Sequence, residues 1–226
     1  MRGRPVRELA VRTVLLLTGL AIAHLGVSLF LESELGSDPF NVFIQGLSRG
    51  LPWPAWMSHG RVHLLVSLVI MAVLLVVARS YVRVGTVLCM ALGGPIIDLW
   101  TAAVLDPLLP EGMALPLRVA MLAAGCVVLA FGMTVVIRSE LGVGPNDLVA
   151  LSISELNHLP FGPVRVAVDV CFALLGFLLG GVVGVGTIIC AFLVGPFAQL
   201  FLPVSGRICN FFVKKFGTEH SVPRGD

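Results

Sequence analysis

The sequence predicts an all-α membrane protein: six transmembrane helices plus two re-entrant or broken half-helices, arranged as two inverted structural repeats. Three observations carry that expectation. First, the chain is 57% hydrophobic and 12% charged, with a mean hydropathy of +0.99. A soluble domain carries about 25% charge, so lipid must be the solvent for much of this surface. Second, six apolar stretches, 13–31, 62–79, 84–104, 117–137, 164–181 and 184–204, are close to the roughly 20 residues that cross a hydrocarbon core of about 30 Å. Third, one polar phrase occurs twice, as SELGSDPFNVFIQGLS from Ser33 to Ser48 and as SELGVGPNDLVALSIS from Ser139 to Ser154.

In chain order, residues 1–11 form a basic segment expected on the cytoplasmic side, with Arg2, Arg4 and Arg7. The run Thr13 to Leu31 follows without a small-residue cleavage pattern, so it reads as a retained first helix. Residues 12–104 make the first repeat and 118–204 the second, joined by a linker over 105–117 and followed by a tail over 205–226. At an offset of 106 residues, Arg12 matches Arg118, Gly19 matches Gly125, Gly26 matches Gly132, and Ser33-Glu34-Leu35-Gly36 matches Ser139-Glu140-Leu141-Gly142. The offset then falls to 101: Val84-Gly85-Thr86 matches Val185-Gly186-Thr187, Cys89 matches Cys190, and Gly94-Pro95 matches Gly195-Pro196. Internal repeats of this kind are common in membrane transport folds.

Each phrase lies in a stretch too short and too polar to span. The apolar run after Phe40 ends by Ser48, with Arg49, Gly50, Pro52 and Pro54 beyond it. The run after Asn146 contains Asp147, Glu155, Asn157 and His158. Both therefore read as half-span segments, near 33–50 and 139–157, which leaves three full spans per half and inverts the second half. The distribution of Lys and Arg, twelve inside with the loop residue Arg165 among them and three outside, puts both termini in the cytoplasm. It gives the same count if the phrases cross fully, so length alone argues for inversion.

Pro39 and Pro145 sit where a helix starts, a position that tolerates the missing N–H. Asp38 is then a natural N-cap, with Gly144 in the equivalent place, and Gly36 and Gly142 permit irregular backbone before it. Such backbone survives in a bilayer only where protein or a wet cavity satisfies it. A half-helix N-terminus alone favours an anion. Asp38 and Asp147 leave a zwitterion or a cation equally open.

The candidate substrate or ion pathway comprises Glu34, Gly36, Asp38, Pro39, Asn41, Glu140, Gly142, Pro145, Asn146, Asp147, Asp98 and Asp169. Ionisable groups in a membrane interior are costly and point to function; Glu34 and Glu140 could equally sit at headgroup level. Cys89 and Cys190 are candidates for a thiol pair, although cysteine also serves as a small apolar packing residue. His24 reads as hydrogen-bonded to a neighbouring helix, His59 and His63 as interfacial, and Trp53, Trp56 and Trp100 as an aromatic belt.

Other classes find little support. The net charge of +2 and the absence of a basic stripe argue against nucleic acid. No metal-ligand cluster, cofactor motif or nucleophile–base spacing is present, so no metal, cofactor or enzymatic activity is expected.

The ELGSDPFNV phrase, the VGT turn and the following GGPIID resemble those of the YczE/YyaS/YitT family of bacterial membrane proteins. Family members carry a G-L-G-x-x-P-x-D-V stretch after the first span and a G-x-G-T…G-x-x-I-D stretch later. The present chain differs in its two Ser-Glu-Leu-Gly phrases, in Asn41 and in a cysteine on each Gly-Thr helix. The resemblance implies a multi-pass protein of the bacterial cytoplasmic (inner) membrane and says little of substrate. The expected function is a small secondary transporter or channel-like protein that moves a small solute or ion. A non-transporting scaffold or regulator, or a membrane-embedded substrate-binding subunit of a larger uptake complex, is the alternative. Few spans are available to enclose a pathway, which leaves room for a homodimer.

Overall fold

The computed structural model describes residues 5–110 and 112–217, and eight helices of twelve residues or more form among them: α1 (Val6–Ser33), α2 (Pro39–Gly50), α3 (His59–Val77), α4 (Val84–Trp100), α5 (Leu115–Ser139), α6 (Pro145–Leu156), α7 (Phe161–Leu178) and α8 (Val185–Phe212). No strand occurs among the described residues. α4 is prolonged by a π turn, Thr101–Leu105, and by Asp106–Leu108; α8 is prolonged by a π turn, Val213–Gly217. Five of these helical stretches are long and apolar enough to cross a membrane: α1, α3, prolonged α4, α5 and prolonged α8. The fifth apolar stretch, 164–181, is not among them: it forms α7, of 18 residues, which carries Arg165 and Asp169. α2 and α6 have 12 residues each. At 1.5 Å per residue they extend about 18 Å, too short to cross.

Some boundaries move outward from the apolar runs. α1 starts at Val6, after Pro5 in extended backbone, and in its added turns Arg12 Nε reaches Glu8 Oε1 at 2.7 Å. α8 continues past Pro196 and Pro203, and Gly217 comes to rest against Glu8 of α1.

The centre is an antiparallel pair, α1 against α5, and its packing is close because glycines face each other. A Cβ on Gly19 would lie 3.0 Å from the Gly132 carbonyl oxygen, and one on Gly125 3.0 Å from that of Gly26. The contacts are reciprocal: Gly132 meets Gly19, and Gly26 meets Gly125. In lipid, where apolar burial gives helices little reason to associate, such small-residue contact is what holds them together. The two ends of the pair are closed by equivalent ion pairs. Arg12 binds Glu140 at 3.1 Å, and Arg118 binds Glu34 at 3.1 Å.

α4 and α8 flank this pair and dock across it. The Gly85 N–H donates to the Leu141 carbonyl at 3.1 Å, and the Gly186 N–H donates to the Leu35 carbonyl at 2.8 Å. Below each docking point lies an apolar cluster. One holds Leu16, Leu20, Cys89, Val136 and Leu141; the other holds Leu122, Cys126, Cys190 and Phe30, with Leu35 against it. At offsets of 106 and 101 these are the same positions of the two halves.

Candidate functional site

The repeated phrase has a structural task at every position. Ser33 and Ser139 turn back to donate to Phe30 and Val136 carbonyls, at 2.7 and 2.6 Å, closing their helices. Glu34 and Glu140 then take left-handed φ values of 52° and 59°, and each reaches an arginine of the opposite central helix. Leu35 and Leu141 offer their carbonyls to the Val-Gly-Thr helices. Both glycines leave room for the start of a Val-Gly-Thr helix, a Cβ on Gly36 lying 2.8 Å from Thr187 N, and Gly36 has a second reason. Gly36 has φ 115°, which a side chain resists. At Gly142 space alone is at stake, since a Cβ would lie 2.3 Å from Thr86 N.

After the first phrase, Asp38 caps α2, with Pro39 in the first turn as the sequence predicts. One carboxylate oxygen accepts from the Asn41 backbone N–H at 3.2 Å, the other from Asn41 Nδ2 at 2.9 Å. Asn41 Oδ1 lies 3.3 Å from His59 Nε2. His59 lines a cavity of about 870 Å³ together with Glu32, Glu34, Gln45, Arg49, Asp98 and Arg118. Asp98 accepts from the Ser58 hydroxyl and from the Gly60 N–H, the latter at 2.8 Å. A polar path thus runs from the cavity through His59 and Asn41 to Asp38. Beside it, His63 is 2% exposed and packs edge-on against His24 and Phe40.

After the second phrase, Gly144 makes no side-chain cap and Pro145 again opens the helix. Arg165 of α7 organises the rest. Its Nε binds Asp169 at 2.8 Å and its Nη1 binds Asp147. Asn146 Nδ2 donates to Asp169 at 3.0 Å, while its Oδ1 is buried without a hydrogen-bond partner among the described residues. α7 packs against both half-helices, α2 and α6, and so links the two starts.

The structure brings together Asp38 and Asn41 on one side and Asn146, Asp147 and Asp169 on the other, with Glu34 and Asp98 at the cavity. It separates Glu34 from Glu140. Each pairs at an opposite end of α1, about 33 Å of helix apart at 1.5 Å per residue, so they share no cavity. Cys89 and Cys190 are free and buried in separate clusters, where they fill space as small apolar groups. His63 is buried rather than interfacial. His24 Nδ1 faces the Leu20 carbonyl of its own helix at 2.8 Å, not a neighbouring one. Arg165, counted with the loop cations by the sequence, is the centre of an ion-pair network. A signal for it was present. At an offset of 102, GRVHLLVS over 60–67 aligns with GPVRVAVD over 162–169, setting His63 against Arg165 and Ser67 against Asp169.

The fold and its buried polar groups define a polytopic α-helical membrane protein. Within that class, the chain belongs to a family of unknown function, DUF6198, whose model matches residues 10–203. It is 33% identical over 195 residues to an uncharacterised protein of Haemophilus influenzae, covering 86% of this chain and 84% of that one. It is 26% identical over 210 residues to the uncharacterised membrane protein YczE of Bacillus subtilis, covering 92% and 94%. A third relative, the uncharacterised protein YyaS of Bacillus subtilis, is 25% identical over 191 residues, covering 84% and 91%. No solved structure matches the chain.

Proposed function

We propose that this protein is a small secondary transporter or channel-like protein of the bacterial inner membrane. It moves a small solute or ion between α2 and α6, which enter the bilayer without crossing it. In this reading six helices span, the two halves are inverted, and both termini are cytoplasmic. The observation that carries it is the polar path from the cavity through His59 and Asn41 to Asp38, together with the Arg165–Asp169–Asp147 network on α6 and α7, inside an otherwise apolar bundle. Two further features support it. Glu34, before α2, and Arg49, near its end, line the same cavity, so the segment returns toward the end it left. The reciprocal contacts of antiparallel α1 and α5 are those expected of halves related by an axis in the membrane plane.

The rival is a scaffold. It predicts a dry, close-packed core throughout, as the glycine seam between α1 and α5 is. Impermeant thiol labelling in proteoliposomes separates the two. Single cysteines at Ser37 and Val143 should label from opposite sides. A folded protein in which neither position labels from either side would favour the scaffold and overturn transport.

A further inference from the structure

The two halves agree in the central pair, in the docking of α4 and α8 and in the clusters beneath. They disagree in where α3 and its equivalent, α7, are seated. α3 lies directly on α4. A Cβ on Gly94 would stand 1.9 Å from the Gly60 carbonyl oxygen, and one on Gly60 2.1 Å from that of Gly94, so the backbones touch. In the second half the aligned positions are Gly162 and Gly195, again both glycine. Yet Gly195 is exposed, with nothing within 4 Å of where its Cβ would be. Among the described residues α7 makes no comparable packing on α8.

α7 sits instead on α2, and this seat too is built of glycine. A Cβ on Gly46 would lie 2.3 Å from the Gly176 carbonyl oxygen, and one on Gly176 2.5 Å from that of Val42. The positions aligned with Gly46 and Gly176 in the other half are Ser152 and Leu74, so α3 has no equally close seat on α6. The chain therefore encodes two glycine seats for α7 and one for α3.

We infer that α7 has a second seat, against Gly195 of α8, and that the α7–α8 seam closes there in a second state of the protein. Helix association in lipid depends on close backbone approach at small residues. The occupied Gly60–Gly94 seam shows what the same residue pair does when it meets. Within the transport reading, this seam opens and closes the end of the molecule opposite the cavity. That consequence rests on that reading; the seam does not.

The test is a distance measurement on full-length protein in lipid nanodiscs. Spin labels go at Val170 of α7 and Leu200 of α8, whose equivalents Leu68 and Leu99 stay exposed beside the closed seam. Cys171, the exposed native cysteine, is replaced by serine, and the four buried ones stay. Double electron–electron resonance should show two distance populations. Gly195→Leu should abolish the shorter one while leaving thermal stability unchanged, because the new side chain enters open space. A single population in the unsubstituted protein, or a shorter one that survives Gly195→Leu, overturns the inference. Should Gly195→Leu fail to fold, the distribution in the parent protein decides alone. Neither negative result touches the transport reading, which the labelling at Ser37 and Val143 tests separately.

Discussion

α3 and α7 occupy aligned stretches of the two halves, and they answer the problem of burying polar groups in opposite ways. α3 carries His59, His63 and Ser67 along one face, four residues apart, with the Ser67 hydroxyl 3.5 Å from His63 Nδ1 and the His63 ring against Phe40 and His24. Gly93 of α4 leaves room for both imidazoles. α7 carries Arg165 and Asp169 at the positions of His63 and Ser67, and adds Asp147 and Asn146 from α6. α3 relies on imidazole and hydroxyl groups and on aromatic packing; α7 relies on formal charge held by opposite charge. Duplication has kept the frame that joins the halves and has let the chemistry diverge on the helices beside it.

The largest effects should fall on that shared frame, and equally from either half. Gly26→Leu and Gly132→Leu would drive side chains to within 2.5 Å of Leu129 N and 2.2 Å of Ala23 N. Backbone cannot yield as a side chain does, so each should destabilise by more than about 3 kcal/mol, and neither should give folded monodisperse protein on size exclusion. If one were tolerated, the reciprocal packing would not be the common foundation of both halves. Next come α3 and α7, where the halves should part. Arg165→Ala leaves Asp147 and Asp169 without their cation and should cost about 3–5 kcal/mol. His63→Phe keeps the edge-on ring contacts and should cost under about 1.5 kcal/mol. Thermal unfolding of the two variants side by side would expose a wrong assignment if they lost stability equally. The smallest effect belongs to the terminal ion pairs. The Glu34 side chain is 56% exposed, so Arg118→Gln should cost about 0.5 kcal/mol, and Arg12→Gln should cost more, because the Arg12 side chain is 11% exposed and also binds Glu8 and the Ser139 carbonyl. Raising the salt should shrink the difference from the parent protein.

Much of this architecture was legible as repetition. The Ser-Glu-Leu-Gly phrases, the Val-Gly-Thr starts and the paired glycines of α1 and α5 sit at fixed offsets because each pair makes the same contact twice. The proline starts and the Asp38 cap were legible because they obey local rules of helix initiation. Three features were not. His63 looked interfacial because periodicity places a residue on a face without saying which helix covers it. Arg165 looked like a loop cation because its partners, Asp147 and Asp169, come from two different helices. Glu34 and Glu140 read as lining one pathway because they share a phrase. Identical phrases in an antiparallel pair end up at opposite ends.

The docking of each Val-Gly-Thr helix onto the other half's loop also has a consequence for biosynthesis. Leu141 is synthesised after Gly85, so the second loop finds its donor already in place. Leu35 precedes Gly186 by roughly 150 residues, which at about 5–20 residues per second is about eight to thirty seconds of translation. Through that interval the Leu35 carbonyl lacks the N–H that finally satisfies it, and a lone carbonyl is poorly tolerated in hydrocarbon. Water has to satisfy that carbonyl until the last helix emerges, and the polar cavity beside Glu34 is where it can reach.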